Sequence, residues 1–155
     1  RYLLCVLRQL RYRKGLMYHD ASMLFDDDVW NYLVYGAGGE IKIKEFNAEM
    51  TGFRPGGADK TLFKTGLSGE GSHVQKINGY YYIFLIAWPS GRIELCYRSK
   101  DLLGNYEGKT VLNSGLGTYG SGVPRVALWI RRMASGTACC FRIMAPWVES
   151  RCLCR

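Results

Sequence analysis

The dipeptide Asn78-Gly79 constrains this chain more than any other pair of residues. It separates Val74-Gln75-Lys76-Ile77 from Tyr80-Tyr81-Tyr82-Ile83-Phe84-Leu85-Ile86-Ala87-Trp88, two runs rich in β-branched and aromatic residues. Asn-Gly between such runs predicts a tight hairpin, because both central residues of that turn need φ > 0. Pro89-Ser90-Gly91 then turns the chain into Arg92-Ile93-Glu94-Leu95-Cys96-Tyr97-Arg98, which alternates with period two. A half-buried strand shows that alternation. A further short strand is expected from Tyr106 to Leu112. Upstream, Tyr32-Leu33-Val34-Tyr35 is closed by Gly36-Ala37-Gly38-Gly39, and Glu40-Ile41-Lys42-Ile43-Lys44 alternates again. No helical period of useful length interrupts these segments.

The expected class is therefore all-β. Residues 74–112 hold about four strands in about 40 residues, the size of one propeller blade. On that scale 155 residues make two to three blades, fewer than the four or more that close a propeller. The composition agrees: 48% apolar, 22% charged and 19 Gly exclude a disordered tail and a coiled coil. No run of 18 apolar residues spans a membrane. No secretory apolar region opens the chain, and it starts at Arg1 rather than Met, so the true N-terminus is expected upstream and no localisation is read from it.

The net charge of +8 is not spread evenly. Residues 1–15 hold five basic residues and no acid, and residues 125–155 hold six Arg and one Glu. The segment between them has 10 basic and 12 acidic residues, so all the excess lies at the ends. Five of the six Cys lie there too, namely Cys5, Cys139, Cys140, Cys152 and Cys154. A nucleic-acid surface needs its cations on one folded face, usually Lys with Arg and interleaved aromatics. A Lys-free, pattern-free tail does not offer that, and no nucleic-acid partner is expected. Nor do Cys139-Cys140 and Cys152-x-Cys154 have zinc spacing.

Two places carry chemistry. In His19-Asp20-Ala21-Ser22-Met23-Leu24-Phe25-Asp26-Asp27-Asp28, the three consecutive Asp read as a solvated turn. Asp20 precedes an apolar run, where it opens a strand and either points into a central cavity or serves as a turn residue. In Gly69-Glu70-Gly71-Ser72-His73, Glu70 lies between two glycines. Close-packed backbone of that kind hides a carboxyl from water, which favours its protonated form and suits a general acid. An ordinary loop Glu is the alternative. His73 reads as a structural hydrogen-bonder. Paired carboxylates on either side of a glycosidic bond are what glycoside hydrolysis requires.

The same segments resemble a known family. Tyr18-His19-Asp20-Ala21-Ser22-Met23-Leu24-Phe25-Asp26-Asp27-Asp28 with Tyr32-Leu33-Val34-Tyr35-Gly36 resembles the third-blade motif of glycoside hydrolase family 43. Glu70-Gly71-Ser72-His73-Val74-Gln75-Lys76-Ile77-Asn78-Gly79-Tyr80-Tyr81-Tyr82 resembles its general-acid motif. Residues 95–107 are similar to the strand and loop that follow, with Asn105 where the family usually has Pro. Val29-Trp30-Asn31 stands where a Gly normally follows the Asp run.

The resemblance covers about residues 16–123 and implies part of a five-bladed propeller with inverting β-xylosidase, α-arabinofuranosidase or arabinanase activity. It implies Glu70 as the general acid and Asp20 as the carboxylate that raises its pKa and orients it. The general base, an Asp of the first blade in the family, has no match in this chain. The implied partner is a xylan- or arabinan-type oligosaccharide. No cofactor is required, and the complete protein has room for a structural metal ion such as calcium. A catalytically dead propeller fragment with weak sugar binding is the alternative.

Beyond residue 123 the resemblance stops. The expectation is a one-base shift of reading frame near codon 124. Joining the last base of one codon to the first two of the next forces Asp from Trp129-Ile130. It forces Gly from Met133-Ala134, from Met144-Ala145 and from Trp147-Val148. With permitted codon choices elsewhere, the shifted frame reads Ala-Gln-Gly-Gly-Ile-Val-Asp-Thr-Ala-Asp-Gly-Lys-Trp-Tyr-Gly-Leu-Leu-Phe-Gln-Asp-His-Gly-Ala-Val-Gly-Arg. That is the continuation the resemblance implies, including the His of the family's central cavity. Residues 1–15 share the Arg and Cys bias and are expected to be out of frame as well, or poorly ordered. The chain thus divides into 1–15, 16–123 and 124–155, with irregular ends around a partial propeller.

Overall fold

The computed structural model describes residues 18–27 and 30–113, together with the backbone of two later strands, Val126–Met133 and Gly136–Ile143. Among the described residues there is no helix. Two four-stranded antiparallel sheets follow one another along the chain. The first is β1 (Ser22–Phe25), β2 (Asn31–Ala37), β3 (Glu40–Glu45) and β4 (Asp59–Lys64); the second is β5 (Gly69–Ile77), β6 (Tyr80–Ala87), β7 (Ile93–Ser99) and β8 (Glu107–Leu112). In each, the strands lie in chain order, the simplest outcome when consecutive strands pair with each other. The later strands, β9 (Val126–Met133) and β10 (Gly136–Ile143), pair with each other. The expectations for residues 1–15, and for 124–155 apart from the backbone of these two strands, fall outside the described residues.

The expected hairpin is present. Ile77 pairs with Tyr80, and Asn78 and Gly79 have φ of 49° and 77°, the two positive values the turn needs. The alternation in β3 is realised as well: Ile41 and Ile43 are fully buried while Lys42 and Lys44 face outward. β6 is buried without a break from Ile83 to Ala87, which explains its continuous apolar sequence. Trp88 falls just outside that strand and is exposed.

One core joins the sheets. Leu24, Tyr32, Val34, Ile41 and Ile43 from the first pack with Val74, Tyr81, Ile83, Leu85, Ala87 and Leu95 from the second. Phe63 of the edge strand β4 stacks on Tyr97 of β7 with centroids 4.2 Å apart. The two blades thus bury their facing sides against each other.

One strand was not legible. β4 has no period-two pattern, because it is an edge strand with Asp59, Lys60 and Lys64 exposed and its register slips against β3 between Ile41 and Lys42. β1, the strand expected after Asp20, is present and only four residues long.

The Asp run needs a correction. Asp27 is exposed, as a solvated turn requires, but the Asp26 side chain is only 2% exposed. It accepts hydrogen bonds from the Lys76 ammonium and the Tyr81 hydroxyl, and so ties the end of β1 to β5 and β6. Period counting cannot see this, because the partners lie 50 and 55 residues away. Asp28 lies outside the described residues.

Candidate active site

Asp20 stands two residues before β1, and Glu70 is the second residue of β5. Each is fixed by its backbone. The Gly36 N–H donates to the His19 carbonyl at 3.1 Å, which lays the His19-Asp20 loop against β2. Asp20 has φ 45°, a left-handed conformation that Asp tolerates better than most residues. On the other side, the Gly39 N–H donates to the Gly69 carbonyl at 3.0 Å and anchors the start of β5 to the β2–β3 turn.

Glu70 pairs with Ile86 and His73 with Phe84, so β5 carries one residue more than β6 across that interval. This is a β-bulge, and Gly71, with φ 76°, sits in it. Bulges re-aim the side chain beside them, here that of Glu70. The glycines flanking Glu70 are both buried, and a Cβ on Gly69 would meet Leu85 Cδ1 at 2.8 Å. The close-packed backbone expected around Glu70 is present.

The two acids come together. Ligating atoms of His19, Asp20 and Glu70 all lie within 4.8 Å of one another, and His19 Nδ1 is 3.6 Å from Asp20 Oδ2. Asp20 and Glu70 are half-buried and His19 is exposed. Chemically this is a pair of carboxyls at a solvent-reachable edge with an imidazole beside them. The same three groups could meet a metal ion through one nitrogen and two oxygens. Calcium takes about six to eight oxygen ligands, so these residues alone do not make a calcium site.

His73 is not part of the group. Burial pushes its imidazole below the ordinary histidine range, and Nε2 lies 2.9 Å from the Gln75 side-chain nitrogen. A neutral ring accepting from that amide satisfies both partners, the structural role expected of it.

Two serines were missed. Ser72 Oγ donates to the Asp20 carbonyl at 3.2 Å, and Ser22 Oγ accepts from the Val74 N–H at 3.1 Å. The spacing carried a signal: Asp20-Ala21-Ser22 and Glu70-Gly71-Ser72 are both an acid, a small residue and a serine.

No family model matches the sequence, and no curated protein sequence does. Solved structures do match. A bifunctional GH43-CE protein of Bacteroides eggerthii is 28% identical with a TM-score of 0.62, over 81% of this chain and 16% of its own. The chain carries part of the glycoside hydrolase family 43 fold. An α-L-arabinofuranosidase of Clostridium thermocellum has the same fold at 17% identity and a TM-score of 0.63, over 86% of this chain and 44% of its own. A xylan β-1,4-xylosidase of Bacillus halodurans has it at 22% identity and a TM-score of 0.53, over 82% of this chain and 28% of its own. This chain therefore spans between 16% and 44% of the length of these family-43 structures, and its two four-stranded sheets correspond to part of their propeller-like architecture.

Proposed function

We propose that the chain belongs to a glycoside hydrolase that cleaves O-glycosyl bonds in xylose- or arabinose-containing plant polysaccharides or their oligosaccharides, by inversion. The observation that carries this reading is the approach of Asp20 and Glu70 to within 4.8 Å at the starts of the first strands of two successive sheets. Glu70 protonates the departing glycosidic oxygen. Asp20 orients the Glu70 carboxyl.

The spacing favours this division of labour. An inverting acid and base stand about 6.5–9.5 Å apart to admit the attacking water, and a retaining acid and nucleophile about 5–5.5 Å apart. With an oxygen of each within 4.8 Å, Asp20 and Glu70 are too close to hold the attacking water between them as an inverting acid and base do. The base therefore comes from elsewhere in the complete protein, and the 155-residue chain on its own is expected to hydrolyse nothing.

The reading extends to the end of the chain. Residues 124–155 are taken as an out-of-frame segment, supported by the four forced residues that fall on the continuation the family resemblance implies. The test of the activity is hydrolysis of aryl xylosides and arabinosides by the complete propeller containing this segment, against its Glu70→Gln variant.

A further inference from the structure

We propose that Ser72 is a positioning residue, which holds Asp20 against Glu70, and that Ser22 closes the same clamp from the opposite strand. This rests on the reading of Asp20 and Glu70 as the working pair.

Ser72 lies two residues beyond Glu70 on β5 and is 4% exposed. Its hydroxyl is 3.2 Å from the Asp20 carbonyl and 3.5 Å from that of Val34, the residue paired with Ser22 in the first sheet. A hydroxyl has one proton to give, so the nearer carbonyl, that of Asp20, receives it. Ser22 lies two residues beyond Asp20, and its oxygen accepts from the Val74 N–H, four residues beyond Glu70. Each acid is thus followed, at the same interval, by a serine whose side chain bonds the other acid's segment. The two bonds cross the seam between the sheets in both directions.

The arrangement couples the acids through two part-buried hydrogen bonds. Glu70 and Ser72 flank Gly71 in the bulge, so the turn that aims Glu70 also aims the Ser72 hydroxyl. Asp20 holds a left-handed φ of 45°, a conformation that persists where surroundings over-determine it. The bond to its own carbonyl is one such constraint. A small residue between acid and serine, Ala21 or Gly71, leaves the crossing open.

The test reads the proximity of the carboxyls and needs no turnover. In the full chain labelled with carbon-13 at Asp and Glu carboxyls, Asp20→Asn displaces the Glu70 resonance, because the groups lie within 4.8 Å. In the Ser72→Ala background that displacement falls by at least half, and in Ser72→Thr, which keeps the hydroxyl, it returns. Amide resonances of the Ile77–Tyr80 turn report that the second sheet is intact. If Ser72→Ala disperses those resonances, Ser72→Cys keeps the volume with a weaker donor and is expected to give the same reduction. A full-sized displacement in Ser72→Ala or Ser72→Cys, or a Thr variant that behaves like Ala, overturns the proposal. Loss of hydrolysis in the complete protein would bear on the glycosidase reading and leave this result untouched.

Discussion

Asp20, just ahead of β1, and Glu70, near the start of β5, each stand two residues ahead of a serine, and a carboxyl oxygen of one lies within 4.8 Å of a carboxyl oxygen of the other. Neither acid is held by its own side chain alone. A left-handed loop residue places one, a bulge places the other, and hydrogen bonds between the two sheets set the distance.

The far end of the same seam is fastened by charge. Burial pushes the Asp26 carboxyl up, but the Lys76 ammonium, the Tyr81 hydroxyl and the Asp27 N–H together hold it below the usual carboxylate range. Hydrogen bonds to a charged group are worth roughly 1.5–3 kcal/mol, so Asp26→Asn is expected to cost about 2–3 kcal/mol of unfolding free energy near neutral pH. The folded Asp26 binds its proton less readily than the unfolded one. Its contribution is therefore present above the ordinary value of 3.8 and lost as pH falls through the lower folded value. Lys76 has the opposite sign: Asp26 first, then Tyr81 and Asp27, raise it above 10.5, so its share is lost only in strong alkali. Urea titrations of wild type and Asp26→Asn should differ by a constant amount from about pH 5 to pH 9 and converge in acid. A gap that widened in acid would contradict this account.

Gly71→Ala tests the bulge. An L-residue in the left-handed region costs roughly 1–2 kcal/mol, and Gly71 holds φ 76°. The variant should lose about that much stability in the same titration and move the Glu70 carboxyl resonance. A neutral substitution would mean the backbone there is not left-handed.

The shared core predicts one cooperative unit. Ile83 is fully buried in the cluster that joins the two sheets. Ile83→Ala should cost about 2–5 kcal/mol, with amides of β2 and β3 losing hydrogen-exchange protection together with those of β6 and β7. Loss confined to the second sheet would show that the blades are stable independently.

The frame shift is checked on nucleic acid. The locus read through codon 124 should show a one-base offset after which the intact frame encodes the glycine-rich strand and the Asp-Gly-Lys-Trp-Tyr hairpin. Codons in the printed frame that cannot yield that continuation would refute it.

What could be read from sequence was the part set by local pattern. The Asn78-Gly79 turn, the alternation of β3 and the continuous apolar run of β6 each declare a strand, because one or both faces are buried. β4 is an edge strand whose exposure erases the pattern. The site divides the same way. Asp20 and Glu70 were singled out by their surroundings and by motif resemblance. Asp26 and Ser72 were not, because their roles depend on partners about 50 residues distant, which only the packing of one sheet on the other brings near. Sequence spacing did hold one unread clue, the repeated acid-x-Ser.

The most direct measurement is kcat/KM for an aryl xyloside or arabinoside with a poor leaving group, taken on the complete propeller and on its Glu70→Gln variant. General acid catalysis contributes about 10²–10⁴-fold, and the account predicts a loss of that order in the variant. An unchanged kcat/KM in Glu70→Gln would contradict it.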